Sequence, residues 1–211
     1  EKEKQYKTQK HSLNIREALR HREVILLTLA YFFMVTAVYG LNFWLPSIIK
    51  SLSGLPNFAV SVIAALPYCV GLASILLVGW HSDKTGERRW HTALAMITTS
   101  VGLLLSVFTR NYTAVAVAMF CLAAAGTAGY LPGFWALPTS FLTGTAAAAC
   151  IGLINCFGNL GGFVGPIVVG NLSKKTGSYF GGILYLSFSA LVAAILILSL
   201  RATRKTNEGM G

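Results

Sequence analysis

Five stretches of the chain contain no Asp, Glu, Lys or Arg: residues 24–49, 51–82, 90–109, 111–173 and 176–200. A helix needs about 20 apolar residues to cross a hydrocarbon core about 30 Å thick, because each residue rises about 1.5 Å. Every stretch is long enough, and the fourth is long enough for two. That stretch is interrupted at Leu137, Pro138, Thr139, Ser140, Phe141, Leu142, Thr143, Gly144 and Thr145, where proline, glycine and hydroxyl residues favour a turn. The pattern predicts an all-α membrane protein with six spans, at about 24–46, 58–80, 90–109, 112–136, 146–172 and 179–200.

Composition agrees. Charged residues make up 11% of the chain, against roughly 25% in soluble domains. The net charge of +10 does not point to nucleic acid, since the basic residues sit between long uncharged tracts rather than on one solvated face. The first 23 residues are too charged for a signal peptide. Cys69, Cys121, Cys150 and Cys156 lie in apolar tracts without a CxxC pair, which disfavours a disulfide framework or a zinc site. His11, His21, His81 and His91 all fall outside the middles of the spans, so neither a metal centre nor a histidine proton relay is expected. The GNLGG segment at 158–162 lacks the Lys-Ser/Thr ending of a phosphate loop, and no GxSxG elbow is present. No cofactor and no enzymatic activity are expected.

Lysine and arginine set the expected orientation. Seven lie in residues 1–23, three in the 81–89 loop and three in 201–211, whereas the other side carries Lys50, Arg110, Lys174 and Lys175. Both termini are therefore expected on the cytoplasmic side. The domain reading is a cytoplasmic segment at 1–23, a six-helix bundle at 24–200 and a cytoplasmic tail at 201–211. Leu13, Ile15, Ala18 and Leu19 make the first segment amphipathic, compatible with a plain linker or with a helix resting on the anionic inner leaflet. The chain starts at Glu1 rather than at a methionine, so a piece of a longer protein is expected.

Residues 79–91 read GWHSDKTGERRWH. The spacing of Gly79, Asp83, Lys84, Gly86, Arg88 and Arg89 resembles the loop signature of the major facilitator superfamily, in its second-half copy between helices eight and nine. YGLNFWLPSII (39–49), FWALPTSFLTGTAAA (134–148) and GLINCFGNLGGFVGP (152–166) extend the likeness to the anion:cation symporter family, in particular to bacterial tartrate and sugar-acid permeases. The resemblance covers about residues 24–200 and implies helices seven to twelve of a twelve-helix fold. It implies further a bacterial inner-membrane location and a midplane site shared with an N-terminal six-helix half. The expected function is secondary transport of a small organic anion, a carboxylate, by proton symport. Two other readings stay open: a self-standing six-helix interaction module, and a carrier for a neutral solute or drug.

The resemblance also makes Gly79, Asp83, Gly86, Arg88 and Arg89 a conformational gate. In this reading Asp83 rests against the positive N-terminal end of a helix in the other half, worth about 0.3 to 1 kcal/mol. A topogenic basic loop is the plainer alternative. Thr28, Tyr31, Tyr39 and Asn42 fall within about 80° of arc at 100° per residue, a polar stripe in an apolar span. Tyr39 and Asn42 are cavity candidates, or else interhelical hydrogen bonders. Trp44 and Phe43 read as interfacial anchors. Asn155 and Asn159 share one face of the fifth span, beside Gly158, Gly161, Gly162 and Gly165, which permit close helix packing, while Pro166 supplies a kink. An asparagine amide can donate two hydrogen bonds to a carboxylate without burying a cation. The resemblance favours Trp135 and Asn155 as substrate contacts. Asn159 is a candidate contact from its position on the same face as Asn155, and an interhelical hydrogen bond is the alternative for both asparagines. No span carries an ionisable Asp, Glu, Lys or Arg, so proton coupling is expected to need the other half.

Overall fold

The computed structural model describes residues 20–142 and 144–200. Its helices are α1 (Arg22–Ser53), α2 (Asn57–Thr85), α3 (Arg89–Phe108), α4 (Thr113–Phe141), α5 (Gly144–Gly158), α6 (Gly161–Thr176) and α7 (Phe180–Leu198). With α5 and α6 taken as one broken unit, these give six segments long and apolar enough to cross a membrane. The helices outrun the predicted spans because several prolines stay inside them. Pro46 lies within α1 and Pro138 within α4, although the spans were expected to end near them. Neighbouring helices and local adjustments of the ladder let membrane helices tolerate proline.

The stops are better marked than the prolines. At Gly54, Gly86 and Gly177 the chain turns left-handed, with φ of 66°, 68° and 67°, and each N–H closes on the carbonyl four residues back. A side chain there would strain the backbone. Lys50, Lys84, Lys174 and Lys175 occupy the last turns of these three helices, where positive charge complements the helix dipole.

Helix α1 stands at the centre, touching α2, α4, α5, α6 and α7, while α3 packs between α4 and α7, and α2 lies against α4. In lipid the helices gain nothing by hiding apolar surface from one another, so close packing and interhelical hydrogen bonds hold the bundle. Between α3 and α4, a Cβ on Gly126 would lie 2.3 Å from the Ala95 carbonyl oxygen, and one on Gly102 would lie 2.5 Å from the Ala123 nitrogen. Ser187 Oγ donates to the Ser100 carbonyl across α7 and α3 at 2.8 Å. Ser189 Oγ donates to Phe33 O across α7 and α1 at 2.7 Å. Ser74 Oγ donates to Ala125 O across α2 and α4 at 2.7 Å. The middle of α2 is the least covered, with 17% of its most apolar window buried against 56% for α1, so α2 is peripheral in this bundle.

Two expectations are revised here. The fifth span breaks at Asn159 and Leu160, ahead of Pro166, which lies inside α6. Leu160 N–H donates to Phe157 O, Gly162 N–H to Asn159 O and Phe163 N–H to Leu160 O, a tightened turn between glycines that favour helix weakly. Trp44 is not an outward interfacial anchor: its Nε1–H donates to Pro166 O at 2.9 Å and its ring lies 5.5 Å from Tyr179. It wedges α1 against α6 and the start of α7. The amphipathic reading of residues 13–19 and the tail at 201–211 lie outside the described residues.

Candidate functional site

Two recesses flank α1. Tyr39 and Asn42, one turn apart, line a recess of about 470 Å³ against Gly162, Phe163, Pro166 and Ile167 of α6. A Cβ on Gly162 would lie 3.3 Å from the Tyr39 ring, so the glycine lets that ring sit flat on α6. On its other side Asn42 lines a second recess, of about 370 Å³, among α1, α2 and α4. The stripe predicted on the first span therefore divides. Tyr31 is buried, stacked on Phe134 at 5.2 Å and meeting the Trp135 edge at 5.1 Å, whereas Tyr39 and Asn42 are exposed.

Trp135 belongs to this aromatic cluster with Phe134 and Tyr31, nearer the end of the bundle that carries the 81–89 loop. Asn155 and Asn159 are exposed on the α5–α6 unit. Asn159 Nδ2 donates to the Asn155 carbonyl at 2.8 Å and to Asn155 Oδ1 at 2.7 Å. Both amide hydrogens of Asn159 are thereby used, while the Asn155 NH₂ has no partner among the described residues. The glycines behind them meet α1. A Cβ on Gly161 would come 2.2 Å from Phe32 O, one on Gly165 2.2 Å from Thr36 O, and one on Gly158 2.1 Å from the Tyr31 ring.

The structure does not gather all five predicted lining residues in one pocket. Tyr39 and Asn42 share a recess, Asn155 and Asn159 form a pair on α5–α6, and Trp135 sits with Tyr31 between α1 and α4. Tyr68 and Thr127, which line the second recess, escaped the sequence reading because each is a lone polar residue in an apolar run.

In the 81–89 loop, Arg88 pairs with Asp83 at 2.5 Å and donates to Ser82 Oγ at 3.2 Å. The Asp83 side chain is 71% exposed. Gly79 is buried, and a Cβ there would meet Pro132 of α4 at 3.3 Å. Arg89 reaches across to the Leu198 carbonyl, and Arg22 donates to Ser199 O at 3.3 Å, so two guanidinium groups hold the end of α7. Glu87, which the motif leaves unspecified, accepts hydrogen bonds from the backbone N–H of Trp90 at 2.8 Å and of His91 at 3.3 Å. That carboxylate serves the open N–H groups of the first turn of α3. A Glu just ahead of an apolar run was the available signal for it.

The profile of the Major Facilitator Superfamily matches residues 1–166. The chain belongs to the major facilitator superfamily. This is a superfamily of membrane transporters rather than enzymes, and the chain is an integral membrane protein with six spans. Among curated relatives, a putative tartrate transporter of Agrobacterium vitis is 40% identical over 95% of this chain and 46% of its own length. The inner membrane transport protein RhmT of Escherichia coli (strain K12) is 37% identical over 93% of this chain and 46% of its own. A quinolone resistance transporter of Acinetobacter baumannii is 35% identical over 92% and 44%. This major facilitator chain thus spans about half the length of the curated relatives it matches.

Proposed function

We propose that the chain is the C-terminal six-span half of a secondary carrier that moves a small organic anion, a carboxylate of the tartrate or sugar-acid kind, together with protons. The observation that carries this is 40% identity to a putative tartrate transporter across nearly the whole chain. Chemistry supports it. Asn155, whose Oδ1 is held by Asn159, keeps two amide hydrogens without a partner among the described residues, and a carboxylate accepts such bonds in pairs. Tyr39, Asn42 and Trp135 form further wall. Asn159 then acts as a positioning residue.

The helices carry Asp, Glu, Lys and Arg only near their ends. A compensating cation for the anion and a group to carry the proton therefore come from the N-terminal half. Both described ends of this half lie with the 81–89 loop, and the excess of Lys and Arg there supports a cytoplasmic placement in the bacterial inner membrane. Gly79, Asp83, Gly86, Arg88 and Arg89 make the gate, in which Asp83 exchanges Arg88 for a helix N-terminus of the other half as the two halves rock.

The 35% identity to a quinolone resistance transporter favours one second reading, a carrier for an aromatic drug-like solute. Uptake by the full-length carrier of labelled tartrate, galactonate, a neutral hexose and a quinolone separates the two. Uptake of the acids alone is expected. Export of the quinolone with no acid uptake would establish the second reading.

A further inference from the structure

The recess among α1, α2 and α4 lies where α1 faces the closely packed pair of α2 and α4, which it meets far more lightly than it meets α6 and α7. Three polar side chains from three helices line it: Asn42 of α1, Tyr68 of α2 and Thr127 of α4. No charged residue does. Thr127 Oγ1 gives its proton to Ala124 O at 3.0 Å and keeps its lone pairs for an incoming donor. Among the described residues the Asn42 amide and the Tyr68 hydroxyl have no partner, and both are exposed.

A cation-free wall that both donates, from the Asn42 amide and the Tyr68 hydroxyl, and accepts, at Thr127 Oγ1 and Asn42 Oδ1, matches an alcohol, which does both, whereas a carboxylate, whose oxygens only accept, leaves the acceptors unmet. The volume of about 370 Å³ lies in the range of small-molecule sites. We propose that this recess is a hydroxyl-recognising subsite, in which Asn42, Tyr68 and Thr127 read the neutral hydroxyl groups of a polyhydroxy acid whose carboxylate is held elsewhere. The subsite rests on the carboxylate-carrier reading above and adds to it the basis for preferring hydroxylated acids.

The test compares acid pairs that differ only in hydroxyl groups, tartrate with succinate and galactarate with adipate, as competitors of labelled tartrate or galactarate uptake by the full-length carrier. The wild type is expected to prefer the hydroxylated member of each pair. Tyr68→Phe and Thr127→Val, both close in shape to the native residues, are expected to lower that preference about three- to tenfold, the range of one hydrogen bond. Potency of the hydroxyl-free acids is expected to stay put. A preference that survives both substitutions, a wild type with none, or equal weakening of both members of a pair overturns the subsite and leaves the carrier reading standing. A wild type that moves no hydroxy acid removes both.

Discussion

Asn155 and Asn159 differ in what they have left to offer. Asn159 spends both amide hydrogens on Asn155, whose own two have no partner among the described residues. Hydrogen bonds to a charged partner contribute about 1.5 to 3 kcal/mol, so Asn155→Ala is expected to raise the KM for a carboxylate by about tenfold or more. Asn159→Ala, which frees Asn155 to rotate, is expected to have a smaller effect in the same direction. An unchanged KM in Asn155→Ala would remove it from the site. Glycines give a second residue-scale contrast. Gly165→Ala pushes a Cβ to 2.2 Å from Thr36 O, whereas a Cβ on Gly152 meets nothing within 4 Å. Overpacking of this kind costs about 1 to 3 kcal/mol. Thermal unfolding of the detergent-solubilised protein is expected to drop for Gly165→Ala and to hold or rise slightly for Gly152→Ala.

At the scale of elements, the loop joining α2 to α3 combines a weak ion pair with strong anchors. The exposed Asp83–Arg88 pair adds little stability, while Arg89 and Glu87 secure α7 and α3. Asp83→Asn is therefore expected to leave membrane abundance intact and to lower maximal uptake about two- to fivefold, the factor carried by about 0.3 to 1 kcal/mol of helix-end electrostatics. Immunoblotting beside uptake kinetics checks both halves of the statement, and unchanged kinetics would end the gate assignment. Element existence was legible in sequence because charge-free runs of spanning length admit few alternatives. Helix ends at Gly54, Gly86 and Gly177 follow from glycine's access to left-handed backbone. Pro46 and Pro138 misled, since a bundle in lipid can hold a proline inside a helix. The break at Asn159 was hidden because the glycines around it read as helix-packing positions, whereas they also let the ladder tighten into a turn there. Trp44 likewise looked like a headgroup anchor until its partner, the carbonyl of Pro166, was placed beside it. Tyr39 and Asn42 could be named from a polar stripe, Asn155 and Asn159 from a shared helix face and Trp135 from the resemblance, but their separation into a recess, an asparagine pair and an aromatic cluster depends on how α1 leans against its neighbours.

For the whole molecule, the distribution of charge governs the account. In the proposed carrier, six spans with charged residues only near their ends supply a wall that hydrogen-bonds the anion, while its neutralisation and the proton path fall to the other half. That proposal agrees with the chain spanning about half the length of the relatives it matches. The most direct measurement of the central claim is external pH during addition of tartrate or galactonate to de-energised, weakly buffered vesicles holding the full-length carrier. A transient alkalinisation of the medium is expected as acid anion and protons enter together, absent with a neutral hexose and reduced in Asn155→Ala. Uptake of the anion with no accompanying proton movement, or no response to any carboxylate, would contradict it.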